Sequence, residues 1–180
     1  MDKTELRKKI LKIRKLANKN NVKINSNKIF KILKENNIKK KLVGGYFPVN
    51  YEVDDLDILK KFYKKKYKIS LPIIKKNFEM DFYEWPFNDP LKINQYGIPE
   101  PNSNNLLYPD IILVPLVAFD KNLNRLGYGG GYYDRLIDKL SKKKKILKIG
   151  LALSIQKIKE IPVTKYDKKL DYIVTDKYIL

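Results

Sequence analysis

Residues Arg125 to Arg135 read RLGYGGGYYDR, and four of the chain's eight glycines, Gly127, Gly129, Gly130 and Gly131, fall within five positions there. Glycine belongs where backbone must approach a ligand closely or adopt positive φ, and Gly130 is expected to do both. A strand entering such a loop and a helix leaving it would aim free amides and the positive helix end at an anion, so the segment suits a phosphate. Arg125 before the loop and Arg135 after it supply guanidinium forks that grip phosphate bidentately. Asp134 adds a carboxylate in the first helical turn. The loop lacks the Gly-Lys-Ser/Thr ending of a Walker A motif, and Tyr133 stands where the dinucleotide fingerprint needs its last glycine. Taken alone, the glycine cluster reads equally well as a tight structural turn.

The side-chain inventory narrows the chemistry. There is no cysteine and no histidine, which excludes disulfides, thiolate zinc sites, cysteine nucleophiles and every Ser-His-Asp arrangement. Carboxylates, amines, guanidinium groups, hydroxyls and backbone amides remain, a set suited to phosphate and magnesium chemistry. The net charge of +19 invites a nucleic-acid partner. The bias is nevertheless almost entirely lysine, as an AT-rich coding sequence produces, it is spread over the chain, and no zinc-finger or RNP-type motif accompanies it; no nucleic acid is expected. Runs such as Lys64–Lys68 and Ser141–Lys148 read as solvated helix ends or loops. The only arginines are Arg7, Arg14, Arg125 and Arg135, and all except Arg14 fall in segments that carry a functional reading.

The elements that must position these groups follow from periodicity. A length of 180 residues suits one domain over residues 1–180, and no apolar run reaches the length of a membrane span. The first residues alternate charge with Ile and Leu, unlike a signal peptide, so a soluble cytoplasmic protein without a membrane partner is expected. Residues 2–17 and 25–36 have the spacing of amphipathic helices, the second with Ser26 near its cap. A strand is expected over 41–48, a helix over 54–66, strands over 67–74 and 78–85, and a turn-rich loop over 95–105. The continuous apolar run 110–119 reads as one central strand buried on both faces, leading directly into the glycine loop. A helix over 132–140, a strand over 146–153, a helical turn near 156–160 and a last strand over 170–176 complete the pattern. Strands alternating with helices imply a single-domain α/β three-layer sandwich with a largely parallel, Rossmann-like central sheet.

With PDIILVPLVAFD before it, the glycine loop closely resembles the signature of the 5-formyltetrahydrofolate cyclo-ligase family. The resemblance runs in order through Lys3 and Arg7, YEVD (Tyr51–Asp54), YGIPEP (Tyr96–Pro101), the loop itself, and IPVTKYDKKLDYIVTD (Ile161–Asp176). It implies that ATP and Mg²⁺ convert 5-formyltetrahydrofolate to 5,10-methenyltetrahydrofolate, releasing ADP and phosphate through an N5-iminium phosphate.

Carried onto this chain, the resemblance assigns ATP binding to Lys3, Arg7, Arg125, Leu126, Gly127, Tyr128, Gly129, Gly130, Gly131, Tyr132 and Tyr133, with Lys3 and Arg125 catalytic. It assigns folate binding to Phe47, Glu52, Tyr96 and Tyr132, and metal ligation to Asp134 and Asp167. Two departures stand out. Tyr166 replaces the histidine that many bacterial members carry before the aspartate matched by Asp167. Gly130 stands where human-like members have a lysine, whose phosphate contact would fall to Lys3 or Arg125. A monomer or weak dimer is expected. The competing readings are a nucleic-acid-binding protein, which leaves the glycine loop unexplained, and a relative that binds folate without turning it over.

Overall fold

The structure, a computed structural model, describes residues 2–17 and 22–180. Its helices are α1 (Lys3–Ala17), α2 (Asn27–Glu35), α3 (Leu56–Lys64) and α4 (Tyr132–Lys143). Its strands are β1 (Leu42–Gly44), β2 (Lys68–Ile74), β3 (Met80–Glu84), β4 (Leu91–Ile93), β5 (Pro99–Pro101), β6 (Leu106–Leu107), β7 (Ile111–Pro115), β8 (Ala118–Phe119), β9 (Arg125–Leu126), β10 (Leu147–Ala152) and β11 (Tyr172–Thr175).

Seven strands form one sheet in the order β11-β10-β7-β1-β2-β3-β6. The first five are parallel, and β3 and β6 add an antiparallel edge. Alternation along β7 sets the layers: Ile111 and Leu113 enter the core beneath α2 and α3, whereas Ile112 and Val114 enter the core beneath α4. On one side Ile29, Ile32, Leu33, Ile58, Leu59 and Phe62 cover the sheet; on the other Leu136, Ile137 and Leu140 do. Nine-residue helices such as α2 and α3 are too short to persist alone, so this burial holds them. Each fully buried large apolar side chain contributes about 1.5–3 kcal/mol. The N-terminal helix α1 packs through Ile10 onto Val117, Ala118, Leu126 and Ile161.

From β1 the chain builds outward to β2 on one side and to β7, β10 and β11 on the other. A crevice therefore opens at the carboxyl ends of β1 and β7, where the winding reverses, which is where open α/β sheets hold ligands.

The structure corrects several boundaries. The run 110–119 is not one strand: β7 stops at Pro115, and β8 leaves to pair antiparallel with β9. The cause lies in the backbone partners. The Leu116 carbonyl accepts from Arg14 and Gln156, the Val117 carbonyl accepts from Gln156, and the Val117 N–H donates to Leu126. The glycine loop consequently follows the short β8–β9 ribbon rather than the central strand. The strand expected over 41–48 ends at Gly44, and the expected loop 95–105 contains β5, which pairs with β4. The helical turn lies at Ser154–Gln156 rather than 156–160. No helix among the described residues is long and apolar enough to cross a membrane.

Gly45 fixes how the chain leaves β1. A Cβ there would lie 2.5 Å from Leu59 Cδ1 and 2.7 Å from Asp55 Oδ2. Gly45→Ala is expected to lower stability by roughly 1–3 kcal/mol in urea unfolding, as overpacking does. Unchanged stability would show that α3 does not press on this turn.

Candidate functional site

The crevice is a cavity of about 1620 Å³, lined at the sheet by Tyr46, Pro72, Met80 and Pro115. Every residue nominated from the sequence lines it: Lys3 and Arg7 from α1, Phe47 and Glu52 after β1, Tyr96 between β4 and β5, Arg125 through Asp134, and Asp167. Segments far apart in sequence thus meet around one cavity.

The glycine loop supplies backbone donors. Gly131, at φ 67°, is the N-cap of α4, and Gly129 sits at φ 108°. Among the described residues, none of the N–H groups from Gly127 through Asp134 donates to a protein acceptor. An ordinary helix start leaves such amides free, and here the loop before it does too. Gly130 corrects the expectation placed on it. Its φ is not positive, and a Cβ there would meet the Tyr132 ring at 2.7 Å, so the ring rather than a left-handed backbone excludes a side chain. Gly129 also makes room for Arg7, whose guanidinium carbon lies 3.3 Å from the would-be Cβ and whose Nε donates to the Gly127 carbonyl at 2.8 Å.

Two cations at the glycine loop are already paired with carboxylates. Lys3 Nζ contacts Asp167 at 2.9 Å, and Arg125 Nη2 contacts Asp134 Oδ1 at 2.7 Å. Arg125 also donates to the Lys168 carbonyl, and the Lys168 N–H donates to Asp134 Oδ1 at 2.9 Å. Asp134 Oδ2 accepts nothing among the described residues. Asp167 is more fully engaged: Oδ2 also accepts the Thr164 N–H at 2.6 Å and its hydroxyl at 2.9 Å. Burial opposes ionisation of Asp167, but the Lys3 and Thr164 hydrogen bonds outweigh it and hold the carboxyl below its usual range. A phosphate reaching Lys3 or Arg125 competes with a carboxylate already bound there.

Glu52 closes the opposite side. It ends a turn in which Asn50 and Tyr51 both have positive φ, 48° and 62°. Its Oε2 accepts the Val49 N–H at 2.9 Å, and its own N–H donates to the Val49 carbonyl at 2.9 Å. Burial pushes the carboxyl up to about 7, against the lowering effects of the Val49 N–H, the Arg14 guanidinium and the Tyr128 hydroxyl. Ionised Glu52 therefore combines an acceptor for a ligand's N–H groups with a desolvated setting. Phe47 is half-buried, and Tyr96 is exposed, near enough to Tyr132 to raise the pKa of that hydroxyl.

Sequence reasoning placed Arg135 beside the loop as a phosphate grip without counting it among the site residues, and it missed several other groups. Arg135 also lines the cavity; it donates to the Gly130 carbonyl at 2.6 Å and lies over the Tyr132 and Phe78 rings. Lys139, Lys142 and Lys143, of which the last two belong to a run read as solvated, line the cavity as well. Arg14 is only 1% exposed. Its signal was available, because it follows Ile10 by one helical turn on the apolar face of α1, where an arginine has to find buried acceptors.

Comparison with known proteins identifies the family. The model of the 5-formyltetrahydrofolate cyclo-ligase family matches residues 1–176. A protein of Haemophilus influenzae named 5-formyltetrahydrofolate cyclo-ligase is 33% identical over 138 residues, spanning 72% of this chain and 73% of the relative. The solution structure of an Aquifex aeolicus 5,10-methenyltetrahydrofolate synthetase superposes with a TM-score of 0.78 at 34% identity, covering 99% of this chain and 92% of that one. A Mycoplasma pneumoniae 5,10-methenyltetrahydrofolate synthetase gives 0.72 at 29% identity, covering 98% and 99%.

The buried acid predicts a trade between stability and function. Because Glu52 titrates at about 7 when folded, against 4.5 for an ordinary glutamate, the native state holds this proton more tightly than the unfolded chain. Its stability cost is absent below the lower value, grows as pH rises through this window and is complete above it. Glu52→Gln keeps an acceptor for Val49 and removes the charge. It is expected to be more stable than the parent at pH 8 by on the order of 1–3 kcal/mol, the gap closing toward pH 5 in denaturant titrations. Equal stability at pH 8 would contradict the burial argument.

Proposed function

Because the chain belongs to the 5-formyltetrahydrofolate cyclo-ligase family, its reaction is the closure of 5-formyltetrahydrofolate to 5,10-methenyltetrahydrofolate, and we propose that it drives this closure with ATP and Mg²⁺ inside the cavity described above. The observation that carries the reading is the set of acceptor-free amides from Gly127 to Asp134, bordered by Lys3, Arg7 and Arg125, in the same cavity as the buried Glu52.

The chemistry proposed is the one that the family resemblance implies. The formyl oxygen attacks the γ-phosphorus of ATP, a new P–O bond forms, and ADP leaves. The resulting N5-iminium phosphate carries a good leaving group on the formyl carbon. N10 then bonds to that carbon, the C–O bond breaks, and phosphate departs with the former formyl oxygen while N10 loses its proton. Nothing in this sequence requires a thiol or an imidazole. The free amides bind phosphate oxygens, and Lys3 and Arg125 neutralise the charge of the transferred group, once each has exchanged its aspartate for the phosphate. Arg7, held over Gly129, adds a third cation. Glu52 accepts from the amino-pyrimidine edge of the pterin, while Phe47, Tyr96 and Tyr132 pack against its rings. Alignment of two bound reactants replaces a bimolecular encounter.

The donor set fits magnesium. No cluster of three or more acidic, histidine or cysteine ligands occurs among the described residues, but Mg²⁺ in nucleotide sites commonly uses one or two carboxylates together with phosphate oxygens. Asp134, with Oδ2 free, would hold it, and Asp167 would join once Lys3 turns to phosphate. When bound, the metal supplies further charge neutralisation on the phosphates. We place this chemistry in a single-domain, cytoplasmic protein that acts as a monomer or weak dimer.

The test is optical. Methenyltetrahydrofolate absorbance should appear from 5-formyltetrahydrofolate only when ATP and Mg²⁺ are both present, and its absence under those conditions would overturn the reading. In the same assay Asp134→Asn should raise the Mg²⁺ concentration for half-maximal rate roughly tenfold or more. An unchanged requirement would remove Asp134 from the metal.

A further inference from the structure

Arg14 is a buried guanidinium that touches three separate segments. Nη1 donates to the Leu116 carbonyl at 3.0 Å, one residue past the end of β7. Nη2 donates to the Asn50 carbonyl at 2.7 Å and to the Tyr128 hydroxyl. The same group lies 5.7 Å from the Tyr128 ring centroid, while its Nε finds no partner among the described residues. Two of these segments belong to opposite halves of the cavity: Asn50 lies in the turn that aims Glu52, and Tyr128 lies in the glycine loop.

Both attachments act on backbone that needs holding. Asn50 and Tyr51 are consecutive non-glycine residues at positive φ, a conformation that costs about 1 kcal/mol or more per residue and persists only where its surroundings impose it. The Arg14 bond to the Asn50 carbonyl is one such constraint, and the Val49–Glu52 hydrogen bonds are the other. Tyr128 belongs to a loop whose amides have no acceptors, so its hydroxyl is one of the few anchors that segment has. On α1, Arg14 follows Arg7 by seven residues, two helical turns, and so lies on the same stripe as Lys3 and Arg7. One rigid helix therefore presents cations to the glycine loop at its start and pins the folate turn further along.

We propose that Arg14 is a positioning residue that couples the two halves of the cavity, so that nucleotide held by the glycine loop tightens 5-formyltetrahydrofolate at Glu52, and the reverse. The coupling is mechanical: ordering Tyr128 fixes the guanidinium, and the fixed guanidinium holds the strained turn. By linkage the effect must be equal in both directions. This rests on the functional reading above, which places the two ligands in that cavity.

Calorimetry separates the two claims. Dissociation constants for a non-hydrolysable ATP analogue with Mg²⁺ and for 5-formyltetrahydrofolate are measured singly and with the other ligand saturating. In the parent protein each constant should fall by about fivefold or more when the other ligand is present. Arg14→Lys keeps the charge and removes the fork, and its coupling factor should fall to near one. Tyr128→Phe removes a hydroxyl that lies beside Glu52 as well as Arg14, so its single-ligand constants are expected to weaken and only its coupling factor, which should also fall to near one, is read. If Arg14→Lys does not fold, the coupling factor of Tyr128→Phe carries the test, because a ratio of constants cancels any loss of single-ligand affinity. The parental factor kept in a folded Arg14→Lys would show that the Tyr128 hydroxyl acts on Glu52 directly and would overturn the role of Arg14. A factor of one in the parent, or the parental factor retained in Tyr128→Phe, would overturn the proposal while leaving the functional reading intact. Failure of the parent to bind either ligand alone would overturn both.

Discussion

The rest of the site depends on a row of backbone amides left without partners. From Gly127 to Asp134 the N–H groups donate to nothing among the described residues, and they are tolerated because they border an open cavity rather than a dry core. Three features of the fold create this condition. The central strand β7 stops at Pro115, the β8–β9 ribbon carries the chain away from the sheet, and α4 begins at a left-handed Gly131. Had β7 continued to Phe119, as its apolar composition suggests, the loop would start elsewhere. Buried side chains, not propensity, decide the matter: Arg14 and Gln156 take the carbonyls that another strand residue would otherwise use.

Charge is arranged around these amides with the same economy. Lys3 and Arg125 sit in ion pairs with Asp167 and Asp134, which offsets their repulsion with each other and with the nearby Arg7. Each pair is partly buried, which orders the cation before a ligand arrives. A polyphosphate offers both cations more negative charge than the aspartates do, and a divalent metal gives the released carboxylates a new partner. Glu52 is treated differently: the fold buries it at a cost to stability and thereby keeps it desolvated for a ligand that brings its own donors.

Much of this was legible in the sequence, and the failures have identifiable causes. The alternation of strands and helices and the two-sided burial of Ile111–Val114 were recoverable from periodicity, and the residues that the family resemblance nominated, from Lys3 to Asp167, all line one cavity. The break at Pro115 was not, because it depends on side chains from α1 and from the turn after β10. Gly130 was credited with a positive φ that belongs to Gly129 and Gly131, since a run of glycines does not say which of them turns. Arg14 looked like one more basic residue in a lysine-rich helix, and only its position on the buried stripe distinguishes it. Arg135 stood in the quoted motif, yet its contacts with Phe78 require the β2–β3 hairpin to fold back over the loop.

The central claim is that the free amides of the glycine loop are the phosphate site. The most direct measurement is a ¹⁵N–¹H correlation spectrum of the labelled protein titrated with a non-hydrolysable ATP analogue and Mg²⁺, without folate. The account predicts that the amide resonances of Gly127, Gly129, Gly130, Gly131, Tyr132 and Tyr133 shift most and become protected from hydrogen exchange, while the Val49–Glu52 turn responds less. If the largest shifts fall outside the glycine loop, or its amides exchange as fast with nucleotide as without, those groups do not hold the phosphates and the account is wrong.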